Sequence, residues 1–347
     1  MQGNAEPSVQ GIDVERVSRW LELHVAGAVA PFAFDVIAGG RSNLTYRVTG
    51  ADGTRFVLRR PPLGHVLATA HDMAREHRII SAVGSTGVPV PAALGLCTDD
   101  EVNGVPFYVM AFVDGVVLDS PVRGEALPAH LRCPAAEHLV DVLADLHAVD
   151  VDAVGLGTLA KREGYVERQV KRWSAQWDNS KTRELTAVEE VARLLRNQLP
   201  DQQGVSIAHG DYRFGNVLTD VQHGRVAAVL DWELCTLGDP LADLGYLGVY
   251  WHDPAHDNMH QNDPTAAGGF PPYAELVERY ARRTGRDVSN IGYYVAFGAW
   301  RLAVISEGVY ARYLVGAMGD PNGFDFTTFR TATELLAEQA LAALKGS

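Results

Sequence analysis

The stretch His209-Gly210-Asp211-Tyr212-Arg213-Phe214-Gly215-Asn216 carries the most information in this chain. It continues into Val217-Leu218, a turn at His223-Gly224, the apolar run Val226–Leu230, and Asp231-Trp232-Glu233. Asp211 and Asn216 stand five residues apart in a glycine-containing loop, so both side chains can turn into one cleft. The two apolar runs around the turn predict a hairpin, which would return Asp231 towards Asn216. One carboxylate near a hydroxyl, an amide oxygen and a second carboxylate form a hard-oxygen donor set. Such a set suits Mg2+, which binds through one or two carboxylates plus substrate phosphates. Asp211 is therefore the candidate catalytic residue, with Asn216 and Asp231 as candidate metal ligands. Each alone is an ordinary turn residue; the joint spacing carries the assignment.

Outward from this stretch the pattern divides in two. Residues 11–30 have amphipathic helical spacing through Val14, Val17, Leu21 and Val25. Ala33–Ala38, Leu44–Thr49 and Arg55–Arg60 are short β-rich runs, separated by Gly39-Gly40 and Ala51-Asp52-Gly53. Residues 68–83 return to helical period, and Val105–Val113 reads as a strand ending at Asp114-Gly115. Beyond it, 134–149, 163–178, 184–199, 272–284, 289–316 and 326–345 have helical length and period, with short strands at Ser206–Ala208, Asn216–Thr219 and Val226–Leu230. The expected class is α+β, with an N-terminal antiparallel sheet carrying one helix and a larger, mainly helical C-terminal part. The expected division is a helical extension over 1–30, an ATP-binding lobe over 31–114 and a catalytic lobe over 115–347.

The HGDYRFGN…DWE pattern resembles the H-x-D-x-x-x-x-N loop and metal-binding Asp of the aminoglycoside phosphotransferase/choline kinase group, relatives of the protein kinases. Gly238-Asp239-Pro240-Leu241-Ala242-Asp243-Leu244 resembles that group's GDPxxDL segment. Gly39-Gly40-Arg41-Ser42-Asn43 and Val57-Leu58-Arg59-Arg60-Pro61-Pro62 resemble one subgroup, the phosphotransferase domain of acyl-CoA-dehydrogenase-associated proteins. The resemblance implies a bilobal kinase-like fold with ATP between the lobes. It also implies transfer of the γ-phosphoryl group to a hydroxyl of a small molecule, with Mg2+ on Asn216 and Asp231.

By the same resemblance the N-terminal part holds ATP. Gly40, Ser42 and Asn43 would face the phosphates, Val57 the adenine, and Met110 the back of the ring. Backbone groups from Ala111 to Val113 would meet the adenine edge. Arg59 would take the place of the kinase lysine, with Glu76 as its partner. Only four lysines occur, none before Lys161, so no lysine can fill that position and no Walker-type loop exists. Arginine offers a planar fork rather than a point charge. His209 follows an apolar strand and reads as a buried support for the loop; Asp239 and Asp243 read as structural, and the resemblance has Asp239 bracing the loop.

The acceptor is less defined. Arg213, Glu233, Trp300 and Glu307 are its candidate contacts. Tyr293, Phe297, Trp300, Val304 and Glu307 repeat at three- and four-residue steps, which describes either a mainly aromatic acceptor wall or simple core. Arg301 and Arg312 could meet an anionic group. The subgroup resemblance implies a hydroxyacyl-type or other hydroxylated small molecule rather than an aminoglycoside. The alternatives are an antibiotic kinase, a nucleotide-binding pseudokinase with a regulatory role, and a metal-dependent hydrolase. His252, His256 and His260 stand at steps of four, but Pro254 and Asn258 favour a mobile lid over a metal-binding helix. Thirty basic against 43 acidic residues give a net charge of −13, which disfavours a nucleic-acid partner. Three scattered cysteines suggest a reducing, cytoplasmic setting. The apolar stretch Val295–Ile305, interrupted by Arg301, is too short to span a bilayer. No membrane partner is expected, and the oligomeric state is left open.

Overall fold

Short runs rich in Val, Tyr and Phe build the first of two units, which comprises Met1–Asp114 and Ala227–Glu233. The computed structural model describes residues 9–38, 43–63, 72–252, 263–318 and 324–345. Helix α1 (Val14–His24) starts at Asp13, whose side chain accepts from the Arg16 amide and satisfies one of the free N–H groups of the first turn. Strands β1 (Ala33–Ala38), β2 (Leu44–Thr49) and β3 (Arg55–Arg60) follow, then helix α2 (Met73–Val83), strand β4 (Ala93–Cys97), the short helix α3 (Asp100–Asn103) and strand β5 (Phe107–Ala111). The five strands form one antiparallel sheet in the order β1-β2-β3-β5-β4. The α1 residues Val17, Trp20 and Leu21 pack into one cluster with Tyr46, Val48, Phe56, Leu58, Phe107 and Val109 of the sheet. Central strand β3 is buried on both faces through Phe56, Val57 and Leu58, and its register sets Arg59 opposite Thr45 on one side and Tyr108 on the other.

The observed helix α1 is shorter than the expected 11–30, and β5 is shorter than 105–113. Strand β4 and helix α3 were not expected. The run Ala93-Leu94-Gly95-Leu96-Cys97 lacks alternation and contains a glycine, which normally argues against a strand. That glycine has a packing reason: a Cβ at Gly95 would stand 2.9 Å from the Trp20 ring. The downstream segment 227–233 joins this unit through the Val229 amide, which donates to the Pro89 carbonyl at 2.8 Å.

The second unit comprises Gly115–Val226 and Leu234–Ser347. Its helices are α4 (Pro121–Glu125), α5 (Ala129–His147), α6 (Tyr165–Ser180) and α7 (Thr186–Asn197). Strands β6 (Ser206–Ala208), β7 (Val217–Asp220), β8 (Arg225–Val229, which ends in the first unit) and β9 (Thr236–Gly238) come next. Then follow α8 (Leu241–Val249), α9 (Tyr273–Thr284), α10 (Ile291–Leu314) and α11 (Thr327–Lys345). Strands β6 and β9 pair antiparallel and frame the 209–216 loop. Helix α5 begins before Pro134, which the expected 134–149 start had placed at the helix edge.

Helix α8 was not expected, and its composition explains why. Leu241, Ala242, Leu244, Tyr246, Leu247 and Val249 are all buried, so it lacks the polar face on which helical period depends. It lies directly against α10. The α10 stripe of Tyr293, Phe297, Trp300, Val304 and Glu307 is buried throughout, so it is core and not an acceptor wall. Among the described residues no helix is long and apolar enough to cross a membrane.

The α8–α10 contact depends on Gly245. A Cβ there would lie 2.4 Å from the Tyr294 carbonyl carbon, which is backbone and cannot rotate away. Alanine is favoured over glycine by ~1 kcal/mol in a helix interior, but overpacking costs ~1–3 kcal/mol. Gly245→Ala should therefore lower stability by up to about 2 kcal/mol in urea unfolding; higher stability would show that the helices are not in contact at this point.

Candidate active site

In the first unit, β3 directs Arg59 into a group of acids. Its Nε lies 3.1 Å from Glu76 Oε2, and its Nη2 lies 2.6 Å from Asp231 Oδ1 and 3.5 Å from Glu233 Oε2. Glu76, on the buried face of α2, accepts from Asn43 Nδ2 at 2.9 Å and from the Tyr108 hydroxyl at 3.1 Å. Asn43 Nδ2 also donates to Glu233 Oε2 at 3.3 Å. The network thus ties Asn43 at the start of β2, together with β3, α2, β5 and the 227–233 segment, to one guanidinium. Burial works to lower the Arg59 pKa, but Glu76, Tyr108 and Asp231 outweigh it and hold the guanidinium charged. Burial pushes Glu76 up to about 7, against the pull of Arg59 and the Tyr108 hydrogen bond. Asp231 has a φ of 61°, the one non-glycine residue in the left-handed region among the described residues. Such conformations persist only where surrounding structure enforces them, and they concentrate at functional sites.

The other nucleotide candidates are placed as follows. Val57 and Met110 are buried neighbours in register across β3 and β5. The Ala111 amide donates to the Ala92 carbonyl, so it is already committed within the sheet. Val113 lies two residues beyond β5 and is part-buried. Gly40 and Ser42 lie outside the described residues, as do His256 and His260. Glu233, expected at the acceptor, belongs instead to the Arg59 network.

In the second unit, the 209–216 loop is held from beneath by Asp243 of α8. Its Oδ2 accepts from the His209 amide at 2.6 Å and its Oδ1 from the Gly210 amide at 2.8 Å. His147 Nε2 lies 3.2 Å from Asp243 Oδ2, and His147 Nδ1 lies 2.8 Å from the Tyr280 hydroxyl. Burial raises Asp243, but the His147 contact and the loop amide pull it below the usual carboxylate range. Burial lowers His147, so its ring is neutral at pH 7. An ionised carboxylate only accepts, so His147 carries its proton on Nε2 and Nδ1 accepts from Tyr280. His209 is wholly buried, and its Nδ1 accepts from the Asp211 amide at 3.2 Å. Gly210, at φ 86°, makes the turn that a side chain would strain.

The loop presents Asp211 and Asn216 together. Asn216 Nδ2 donates to Asp211 Oδ2 at 2.6 Å and to its carbonyl at 2.8 Å, which leaves the Asn216 amide oxygen as that side chain's remaining acceptor. Asp211 Oδ1 is buried with no hydrogen-bond donor on it; the nearest cation is Arg213 Nε at 3.4 Å. The Asn216 amide oxygen and the part-exposed Asp231 carboxylate are hard oxygen donors of the kind Mg2+ takes. They fit that ion as a chemical set, each on its own unit. Among the described residues no cluster of three His, Cys, Asp or Glu side chains is arranged for a metal.

Several expected roles change. Trp300 is fully buried and donates to the Val188 carbonyl, and Glu307 is fully buried and accepts from the Thr182 amide and hydroxyl. Neither can touch an acceptor. Arg301 is buried on the Tyr246 ring and donates to the Gly210 carbonyl, so it supports the loop and meets no external anion. The loop brace is Asp243, whereas Asp239 accepts from the Gln203 and Leu241 amides and the Tyr294 hydroxyl. Tyr108, His147 and Tyr280 were not anticipated, because lone residues on apolar helices and strands carry no pattern.

Residues 34–284 match the model of the family described as "Phosphotransferase enzyme family". The mouse protein named acyl-CoA dehydrogenase family member 10 is 36% identical over 301 residues, covering 85% of this chain and 28% of its own length. The chicken family member 11 is 35% identical over 311 residues, covering 88% of this chain and 39% of its own length. The chain thus spans well under half of these curated relatives. A solved structure of a candidate aminoglycoside phosphotransferase from Ralstonia eutropha JMP134 superposes with a TM-score of 0.81 at 32% identity, covering 96% of this chain and 98% of that one. These matches agree with the resemblance carried by the 209–216, 231–233 and 238–244 motifs.

The Glu76 environment has a measurable consequence. A carboxyl raised in the folded state binds its proton more tightly there than when unfolded, so its stabilisation is full below about pH 4.5 and is lost as pH rises through about 7. The ligand-free protein should lose on the order of 2 kcal/mol relative to Glu76→Gln between pH 5 and pH 8 in urea unfolding. A pH-independent difference between the two proteins would show that Glu76 is ionised throughout.

Proposed function

This chain belongs to the phosphotransferase enzyme family, and from that premise we propose that it moves the γ-phosphoryl group of ATP, with Mg2+, onto a hydroxyl of a small molecule. The observation that carries the proposal is the Asp211 carboxylate, fixed through Oδ2 by Asn216 on a loop that Asp243 holds by two amides. A carboxylate so fixed can orient an acceptor hydroxyl and take its proton as the oxygen–phosphorus bond forms and the bond to ADP breaks. Arg59 would bind phosphate oxygens through its fork, with Glu76 keeping that fork in place and Asn43 beside it. Asn216 and Asp231 would hold Mg2+, which when bound neutralises phosphate charge. The rest is positioning and charge stabilisation. The relatives named for acyl-CoA dehydrogenases support a hydroxyacyl-type acceptor over an aminoglycoside.

Asp211→Asn should cut phosphate transfer by roughly 10² or more while leaving Mg-ATP binding in place, since general-base assistance is worth that much. Arg59→Met should reduce the rise in melting temperature that Mg-ATP produces, because a ligand of the folded state stabilises it according to its affinity. Near-normal turnover by folded Asp211→Asn would overturn the assignment. Turnover absent from the unmodified protein despite Mg-ATP binding would favour a regulatory nucleotide-binding role.

A further inference from the structure

We propose that Arg213 is a positioning residue for Asp211, fixed by the face of Tyr250 and by the space left at Gly215. The inference rests on the phosphotransferase reading only in making Asp211 the group that needs positioning. Asn216 fixes one oxygen of that carboxylate and leaves Oδ1 buried without a donor. Facing Oδ1 at 3.4 Å is Arg213 Nε, also buried and without a hydrogen-bond acceptor. Two opposite charges at this separation, in side chains only part-exposed, attract even without a closed hydrogen bond.

Arg213 cannot easily move off. Its guanidinium carbon stands 4.8 Å over the Tyr250 ring, within cation–π range. The Tyr250 hydroxyl lies 3.2 Å from that of Tyr246, and the two rings meet edge to face at 5.3 Å. Arg301 lies 4.2 Å over the Tyr246 ring, and its Nη2 donates to the Gly210 carbonyl. The ladder Arg213–Tyr250–Tyr246–Arg301 therefore leaves the loop just after Asp211 and returns to it just before. Gly215 completes the fit. Its φ is not positive, so the backbone does not require glycine, but a Cβ there would run into the guanidinium, 2.9 Å from Arg213 Cζ. Asp211 is thus gripped through both oxygens, by an amide on one side and a seated cation on the other.

The test uses phosphate release from Mg-ATP with water as acceptor, together with the NMR signals of the Asn216 side-chain amide, assigned by their loss in Asn216→Asp. Arg213→Met should lower kcat about 10²-fold with KM for ATP within about threefold, the cost of a misplaced catalytic group. Arg213→Lys should recover about tenfold of that loss. Tyr250→Leu and Gly215→Ala, which keep the charge but unseat it, should each lower kcat about tenfold. The Asn216 amide signals should move in Arg213→Met and move less in Arg213→Lys. A folded Arg213→Met protein with kcat within twofold of the unmodified protein, a loss confined to KM, or unmoved Asn216 signals would each overturn the inference. If the unmodified protein releases no more phosphate than Asp211→Asn, the phosphotransferase reading fails, and the amide signals still decide whether Arg213 holds Asp211.

Discussion

The carboxylate of Asp243 is the point on which the second unit's chemistry depends. It is wholly buried, and it exchanges its hydration for the amides of His209 and Gly210 and the ring of His147. A buried charge is tolerable only when its lone pairs are met, and here they are met by the backbone of the loop that bears Asp211. Charge compensation and loop placement are therefore one interaction. Removing the carboxylate would leave two buried amides without acceptors and a buried imidazole without its orienting partner, each at a cost of ~1–3 kcal/mol.

A different logic governs the first unit. There the buried cation is shared among several acids, and its geometry explains why arginine serves at position 59. Nε points to Glu76 and Nη2 to Asp231 and Glu233, so one side chain meets acids in two directions. A lysine ammonium would present its donors from one point on a flexible stem rather than along a fixed planar fork. The same geometry makes Glu76 more than a counter-ion. With Asn43 on one oxygen and Tyr108 on the other, it is locked to the sheet, and the lock passes to Arg59. The lysine-free first 160 residues are thus compatible with a phosphate-binding cation, supplied here by an arginine whose fork meets acids in two directions.

Much of this was legible in the sequence, for identifiable reasons. Strands β1 to β3 are written as β-branched and aromatic runs with turn residues between them, and their observed limits are the expected ones. The 209–216 motif is legible because its polar residues stand at fixed offsets in one loop. Contacts between distant segments were not. Asp243 reads only as a structural carboxylate, because a helix with no polar face gives no period and its partners lie more than 30 residues away. Trp300 and Glu307 show the opposite failure. Their spacing describes one helix face, but spacing cannot say whether that face meets solvent, ligand or another helix. Only the contacts with distant segments make it core: Tyr293 and Trp300 donate to the Leu195 and Val188 carbonyls of α7, and Glu307 accepts from Thr182.

The location of Asp231 adds a last step. It is 172 residues from Arg59 in sequence, yet it lies in the first unit, carried there by a segment of seven residues. That segment is tied by the Val229 amide to Pro89, by the Trp232 indole to the Val229 carbonyl, and by Asp231 and Glu233 to Arg59. Asp231 pays for its left-handed backbone with these contacts, since a non-glycine residue there costs of order 1–3 kcal/mol. An extended conformation would relieve the backbone but redirect the side chain away from the guanidinium. The ion pair and the strained turn therefore maintain each other. Asp231 is thereby fixed to the sheet that carries Arg59, while Asn216 and Asp211 are fixed in the loop that α8 braces. Each network is therefore precise through interactions internal to its own unit.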